Sequence, residues 1–491
     1  MSSLVEKLTA EGQGEPAGWL NELVAQLWPN INAAGSKMIK EIVEPMFKTM
    51  LPGPLSSLHF TKIDLGYVPL RFSNVKVTKT EIDGIKLDMN VDWESKVDVE
   101  MDADMMPALG VESVELYGRL SVLLCPLTNI IPLIGAAQVS FVNPPILKLD
   151  FTGAANVADF SAIDGAVRNA ILGIINSMLT LPNRYLVKMD ATSDYFKTYH
   201  YPLGIIRITV KEAWGFAEES KGTAKKLFHK ITRAHPDCFA KVEVGAEEAW
   251  KTTTKDNTVK PAWNETHDFV VSDFDQCIKI VVEDQDVNSN DEVGMGVTTV
   301  RELLMAGGNQ ELTLLSDGAQ TDGRLSIGSQ FFKFENNGGS FSSSEHKGDG
   351  LFCGLATVLI ASANGIKGQR DQLTPSVVVT WGSKHRFQTA VKTDAPGTDI
   401  NNPSFDYCCR MPVSADMVGS KVEPFRLTLM NGEKEMGSAD IALTDVLNAS
   451  NGTLQNTFAV GEGASIRASI CMRGMVSGTM KETELPERKK R

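Results

Sequence analysis

From Ile85 to Met105 the sequence alternates almost without fault. Ile85, Leu87, Met89, Val91, Trp93, Val97, Val99, Met101, Ala103 and Met105 fall on one side; Asp88, Asp92, Glu94, Asp98, Glu100, Asp102 and Asp104 fall with Lys86, Asn90 and Lys96 on the other. A period of two with one apolar side specifies a half-buried antiparallel sheet. An ordinary strand has about 5 to 6 residues, so this run is expected either as one very long curved strand or as two that bend at Ser95. Either way it builds a wall, apolar on one side and acidic on the other.

Between Arg119 and Lys148 the chain carries no formal charge. A membrane-spanning helix needs about 20 continuous apolar residues, and this run is broken by Pro126, Pro132, Pro144 and Pro145 with Asn129, Gln138 and Asn143 among them. It is expected as strands and turns. Set against the alternating wall, it would enclose an elongated groove lined by Val91, Trp93, Leu120, Val122, Leu124, Ile131, Leu133, Ile134, Val139 and Phe141. A sealed hydrophobic core satisfies the same pattern and is the ordinary outcome of apolar alternation.

A chain of 491 residues has room for about three domains. Its net charge of −13 argues against nucleic acid as a partner, since phosphate binding draws on clustered Lys and Arg. Membranes stay open, because only the local charge of a docking face matters there. The seven cysteines form no CxxC pair or metal-ligand spacing, which suits a reducing compartment. No signal peptide, transmembrane segment or myristoylation site is expected. Enzyme signatures such as GxSxG, a P-loop or HExxH are missing, so no catalytic activity is expected.

Apolar residues recur at helical spacing from Trp19 to Phe47, and Pro29 and Pro45 are expected to cut that run into two or three helical pieces. Strands follow at Leu58–Leu65 and Leu70–Thr78, before the alternating wall. After the uncharged stretch, Ile163, Val167, Ile171, Ile174 and Met178 mark a second helix, stopped by Pro182. Helix, long strands and helix without βαβ alternation make an α+β unit with a mostly antiparallel sheet.

The runs EPAGWLNELVAQLWPNI, HFTKIDLGYVPLRFSNVKV, GRLSVLLCPL, IPLIGAAQVSFVNPP and LTLPNRYLV, in this order, resemble the SMP domain of extended synaptotagmins, tricalbins and plant synaptotagmins. The resemblance implies a TULIP-type tube over residues 15–195 that forms a homodimer and carries glycerophospholipids in its groove. Residues 201–335 resemble a C2 domain through PDCFAKV, KPAWNETHDF and VVEDQDVNSNDEVG. A Gly/Ser-rich linker is expected at 336–350, a degenerate C2-like domain at 351–476 and a polar tail at 477–491. The fold class is thus an α+β SMP tube followed by two all-β C2 sandwiches.

In the first C2 unit, Asp237 leaves one loop while Asp284, Asp286 and Asp291 lie on another. Calcium takes six to eight hard oxygens, and carboxylates converging from two loops supply several; solvated surface acids are the alternative. The first loop departs from the family pattern: it is longer than usual and offers only Glu218 or Glu219. Within it Lys225, Lys226, Lys230 and Arg233 interleave with Leu227 and Phe228, a composition that suits an anionic membrane surface and equally a solvated loop over a small apolar floor. In the second C2 unit the matching positions fall near Pro375, Met430 and Gly432, so calcium is not expected there; Lys367, Arg370, Lys384 and Arg386 are its basic candidates for phospholipid. The leading expectation is lipid transfer between apposed membranes, with C2 units docking on anionic surfaces, the first in response to Ca2+. A calcium-responsive tether that dimerises without moving lipid is the alternative. The location implied is the cytosolic side of membranes, at endoplasmic reticulum contact sites, as a peripheral protein.

Overall fold

The computed structural model describes residues 16–80, 83–104, 108–152, 160–216, 235–285, 290–334, 341, 350–395, 397–418 and 423–477. The chain divides into two compact units, one formed by 1–193, 211–263 and 272–327, the other by 194–210, 264–271 and 328–491.

The first unit begins with helix α1, Gly18–Met50. Strands β1 (His59–Asp64), β2 (Arg71–Lys79), β3 (Ile85–Asp102), β4 (Leu109–Leu124), β5 (Ala136–Phe141) and β6 (Ile146–Thr152) follow, then helix α2 (Phe160–Leu179) and β7 (Tyr185–Lys188). All their pairings are antiparallel, along the path β1-β3-β4-β5-β7 with β2 on β3 and β6 on β4. Ile85–Asp102 of the alternating run form one strand of 18 residues, and its break in register against β4 falls between Lys96 and Val99; Met105 lies outside the described residues. Ser95 does not end it; the hydroxyl points to the apolar side and donates to Leu65 O at 3.1 Å.

The prolines do not divide α1. Each removes one backbone hydrogen bond from the helix, a cost of about 3 kcal/mol. Long-range bonds offset it. Asn21 accepts from Phe72 N at 2.7 Å and donates to Phe72 O at 2.9 Å, Trp28 Nε1 donates to Gly66 O at 2.8 Å, and Asn32 accepts from Leu65 N at 2.9 Å. Lys40 and Glu44 satisfy Phe60 O and N at 2.8 and 2.7 Å. These backbone groups lie on β1, at the start of β2 and in the segment between them, so α1 saturates strand-edge groups that would otherwise be open to pairing. Its apolar side packs Trp28 and Phe47 with Trp93, Val97 and Met101 of β3 and Val167, Ala170 and Ile174 of α2.

At the other end of β3 the acidic side is not solvated. Asp88, Asn90, Arg119, Ser121, Gln138 and Ser140 are buried, and residues 272–277 bond there. Lys86 Nζ lies 2.5 Å from Asp273 Oδ2 and 3.3 Å from Asp88 Oδ2, while Asn143 accepts from Cys277 N at 2.6 Å and donates to Asp275 O at 3.0 Å. Burial pushes the Asp273 carboxyl up; the Lys86 charge and hydrogen bond, the Asp275 N–H and the Arg301 charge overcome this and bring it to about 2. A depressed carboxyl stabilises the fold above its unfolded value of 3.8, and that contribution is lost as the pH falls toward 2. Acid titration of stability should therefore show a component of about 2 kcal/mol between about pH 4 and 2. Urea unfolding of Asp273→Asn at stepped pH should lack it.

The same unit holds β9 (Cys238–Val244), β10 (Trp250–Lys251), β12 (Cys277–Asp284), β13 (Asp291–Thr299), helix α4 (Val300–Met305) and β14 (Asn309–Ser316). They form an antiparallel sheet in the order β10-β9-β12-β13-β14.

The second unit opens with the short helix α3 (Tyr195–Thr198). β8 (Gly204–Trp214) and β11 (Ala262–Val271) reach it as a pair, as does the end of β15 (Ala319–Phe334). It continues through β16 (Gly354–Asn364), β17 (Pro375–Trp381), β18 (His385–Gln388), β19 (Ser404–Val413), β20 (Phe425–Asn431), β21 (Lys434–Ile441), helix α5 (Leu443–Asn448), β22 (Thr453–Gly461) and β23 (Ala464–Ser477). One sheet pairs β19, β16, β23 and β22, the other β18, β17, β20 and β21. Val358, Ile360, Ile466 and Ile470 from the first meet Val377, Val379, Leu427 and Leu429 from the second in one core. None of the seven cysteines is in a disulfide.

Candidate functional site

Residues paired across a ladder share a face, so the registers show which residues share the face expected to line a groove. Val77, Leu87, Val122, Val139 and Tyr185 stand side by side on β2, β3, β4, β5 and β7. Met89, Leu120 and Phe141 form a second row, and Ile85, Leu124 and Ala137 a third. Leu87, Leu120, Val122, Leu124 and Val139 are half-buried, and Val77 is 61% exposed. An apolar face of this kind, uncharged and still partly wet, is what a lipid tail can cover. Gly118 lies on the same face because the Phe141 ring occupies the space of its side chain; a Cβ there would stand 2.9 Å from Phe141 Cδ1.

The expected lining residues separate into three groups. Leu120, Val122, Leu124, Ile134 and Val139 are half-buried, and Val91 and Phe141 are buried. Trp93 belongs to the sealed part: it meets Trp28 edge-on at 5.9 Å, and its Nε1 donates to Val68 O at 2.9 Å. Ile131 and Leu133 depart from the expectation. They stand 89% and 54% exposed in the loop between β4 and β5, where Leu133 N bonds back to Ile130 O in a tight turn. Apolarity alone placed them on the wall.

Of the acidic candidates, Asp237, Asp284 and Asp291 lie at one end of the β9-β12-β13 sheet. Asp284 pairs with Cys238 on one side and Asp291 on the other. Asp284 Oδ1 accepts from Asp237 N at 2.8 Å, and Asp237 Oδ1 accepts from Asn257 N at 2.6 Å. Burial, with the charges of Asp284 and Asp237, pushes the Cys238 thiol up to about 12. Asp286, Glu218 and Glu219 lie outside the described residues, as do Lys225, Lys226, Leu227, Phe228, Lys230 and Arg233. Among the described residues no three His, Cys, Asp or Glu side chains are grouped to hold a metal. Asp237 and Asp284 are the two acidic candidates that a hydrogen bond joins directly at this end of the sheet.

Residues 13–190 match the family described as the synaptotagmin-like mitochondrial-lipid-binding domain, and residues 204–314 match the C2 domain family. The chain carries an SMP domain and a C2 domain and resembles the extended synaptotagmins. It is 32% identical over 299 residues to extended synaptotagmin-1 of Mus musculus, covering 60% of this chain and 27% of that protein. Against extended synaptotagmin-2 of the same organism it is 26% identical over 484 residues, covering 94% of this chain and 55% of that protein. The chain therefore spans about half or less of these relatives' lengths. A solved structure of extended synaptotagmin 2, holding its SMP domain and two C2 domains, matches with a TM-score of 0.65 at 23% identity, covering 94% of this chain and all of that one. At that identity the likeness speaks for the fold: an SMP tube and two C2 sandwiches.

In the second C2 sandwich, two of the expected basic contacts are already paired. Arg370 bonds Asp394 and Thr398 O at 2.6 and 2.7 Å, and Lys384 bonds Asp416 at 2.9 Å. Pro375 pairs with Asn431 in the ladder, and Asn431 Oδ1 accepts from Thr374 N at 2.6 Å. Among the described residues no helix is long and apolar enough to cross a membrane.

Proposed function

We propose that the SMP domain of this chain carries glycerophospholipids between apposed membranes by holding their acyl chains against the face of Leu87, Leu120, Val122, Leu124 and Val139. The observation that supports it is the partial exposure of that face, which leaves apolar surface wet where a packed core would cover it. Each methylene moved from water onto such a face contributes about 0.8 kcal/mol. A tail leaving a bilayer is already out of water, so exchange between bilayer and groove is close to balanced and the protein can both load and release. A homodimer through the SMP domain belongs to the same reading; Trp19, Leu23 and Leu27, exposed along α1, are apolar positions it would cover. So does residence at contact sites with the endoplasmic reticulum.

Lipid extraction and native mass spectrometry of the purified protein, with transfer of labelled lipid between vesicles, test the reading. Bound glycerophospholipid and moving label are expected. A protein free of lipid that moves no label would leave a membrane tether.

The C2 domains in this reading dock on anionic membranes, the first when Ca2+ joins Asp237, Asp284, Asp286 and Asp291. The unbound carboxylates repel one another and a negative surface, and a bound cation removes both penalties. Asp284→Asn should weaken calcium-dependent sedimentation with anionic vesicles by about tenfold or more. Unchanged calcium dependence would take Asp284 out of the site.

A further inference from the structure

On β23, Ile466, Ala468, Ile470 and Met472 face the core of the second C2 sandwich, so Arg467, Ser469, Cys471 and Arg473 face the other way. The segment that carries α3 lies over these outward residues, and it treats the two arginines differently. Arg467 lies 4.7 Å over the Phe196 ring, with its charge matched by Asp194 at 3.1 Å. Arg473 lies 4.0 Å over the Tyr201 ring, yet among the described residues no carboxylate pairs with it, and its buried Nε has no hydrogen-bond partner.

Arg473 and Tyr201 line an open basin of about 530 Å³, together with Phe196, Ser450, Asn451, Thr453, Gln455 and Ser469. Among the described residues, no acidic side chain lines it. A half-buried guanidinium without a counter-charge is costly to keep, and the ring beneath it fixes its plane without neutralising its charge. A guanidinium offers parallel N–H donors that match phosphate oxygens, and hydroxyl and amide groups around it can meet the remaining oxygens. The volume falls in the range of small-molecule sites, about 300 to 1,000 Å³, and exceeds what a bare phosphate fills.

We propose that this basin binds a phosphate monoester carried on a polyol, with the ligand's phosphate taking the place beside Arg473 that Asp194 takes beside Arg467. The site shares no residue with the lipid face or the acidic loops, and it does not rest on the function proposed for either.

The test is calorimetric titration of the full chain with inositol trisphosphate. Saturable binding is expected, weakened at least about tenfold by Arg473→Gln. The exposed, nearly isosteric Gln455→Glu should do the same by supplying the missing carboxylate, and it keeps the test open if Arg473→Gln fails to fold. Arg426→Gln, which removes an equal charge from the other sheet, should leave binding unchanged. Displacement by inorganic phosphate would mark free phosphorylated solutes as the source, and displacement only by vesicles containing phosphatidylinositol phosphates would mark a lipid headgroup; both uphold the pocket. No saturable binding at millimolar ligand, or wild-type affinity in Gln455→Glu and folded Arg473→Gln, overturns it.

Discussion

Val122→Asp is expected to leave a folded protein that purifies without lipid. Val122 sits between Leu87 and Val139 at the middle of the apolar row and is half-exposed, so in the empty protein a carboxylate there can keep contact with water. An acyl chain laid over it would strip that water and leave an unpaired charge in hydrocarbon, at a cost of several kcal/mol. Lipid retention should then fall by about a hundredfold or more, while the melting temperature moves little. The contrast is Val97→Asp. Val97 lies in the sealed cluster with Trp93 and Met101, so its replacement should unfold the domain whether lipid is present or not. Phosphorus analysis of the purified variants and thermal unfolding by circular dichroism separate the two effects. Full lipid occupancy in a folded Val122→Asp protein would remove this face from the proposed function.

That distinction also marks where the sequence stops being informative. Apolar alternation located the wall along β3, because a period of two has only one structural meaning over so many residues. It did not tell Trp93, sealed against Trp28, from Val122, open to a ligand, since packing and lipid binding ask for the same side chains. The acidic side has the same ambiguity. Asp92 and Asp98 are exposed, whereas Asp88 on the same face is buried beside Lys86 and Asp273; the covering residues come from far along the chain and leave no mark in the local pattern. Helix α1 shows the converse. Its prolines signalled a break, and bonds from Asn21, Asn32, Lys40 and Glu44 to distant strand edges overrode them. The acidic loops were more legible, because Asp237 and Asp284 flank runs with clear strand character, and strand pairing brings such flanks together.

Asp268→Asn is expected to cost the second unit about 3 to 5 kcal/mol, although nothing in the sequence marks Asp268. Its side chain is fully buried and takes two parallel bonds from Arg207 Nε and Nη2, both at 2.8 Å. The second oxygen also accepts from Phe352 N at 2.7 Å, and the Arg207 guanidinium lies 4.8 Å over the Phe332 ring. An amide of the same shape removes the negative charge and turns an N–H donor toward guanidinium donors, so a nearly buried cation is left without its partner. Asp416→Asn provides the scale. That carboxylate faces Lys384 with both side chains more than half exposed, and its loss should change stability by less than about 1 kcal/mol. Urea unfolding monitored by fluorescence should show a clear fall in midpoint for Asp268→Asn and almost none for Asp416→Asn. The double replacement Arg207→Met with Asp268→Leu should recover part of the loss, because apolar residues of similar volume need no partner. It should not recover all of it, since Phe352 N would still be without its acceptor. Equal midpoints for Asp268→Asn and wild type would mean that water reaches this pair in solution and that its burial contributes nothing to stability.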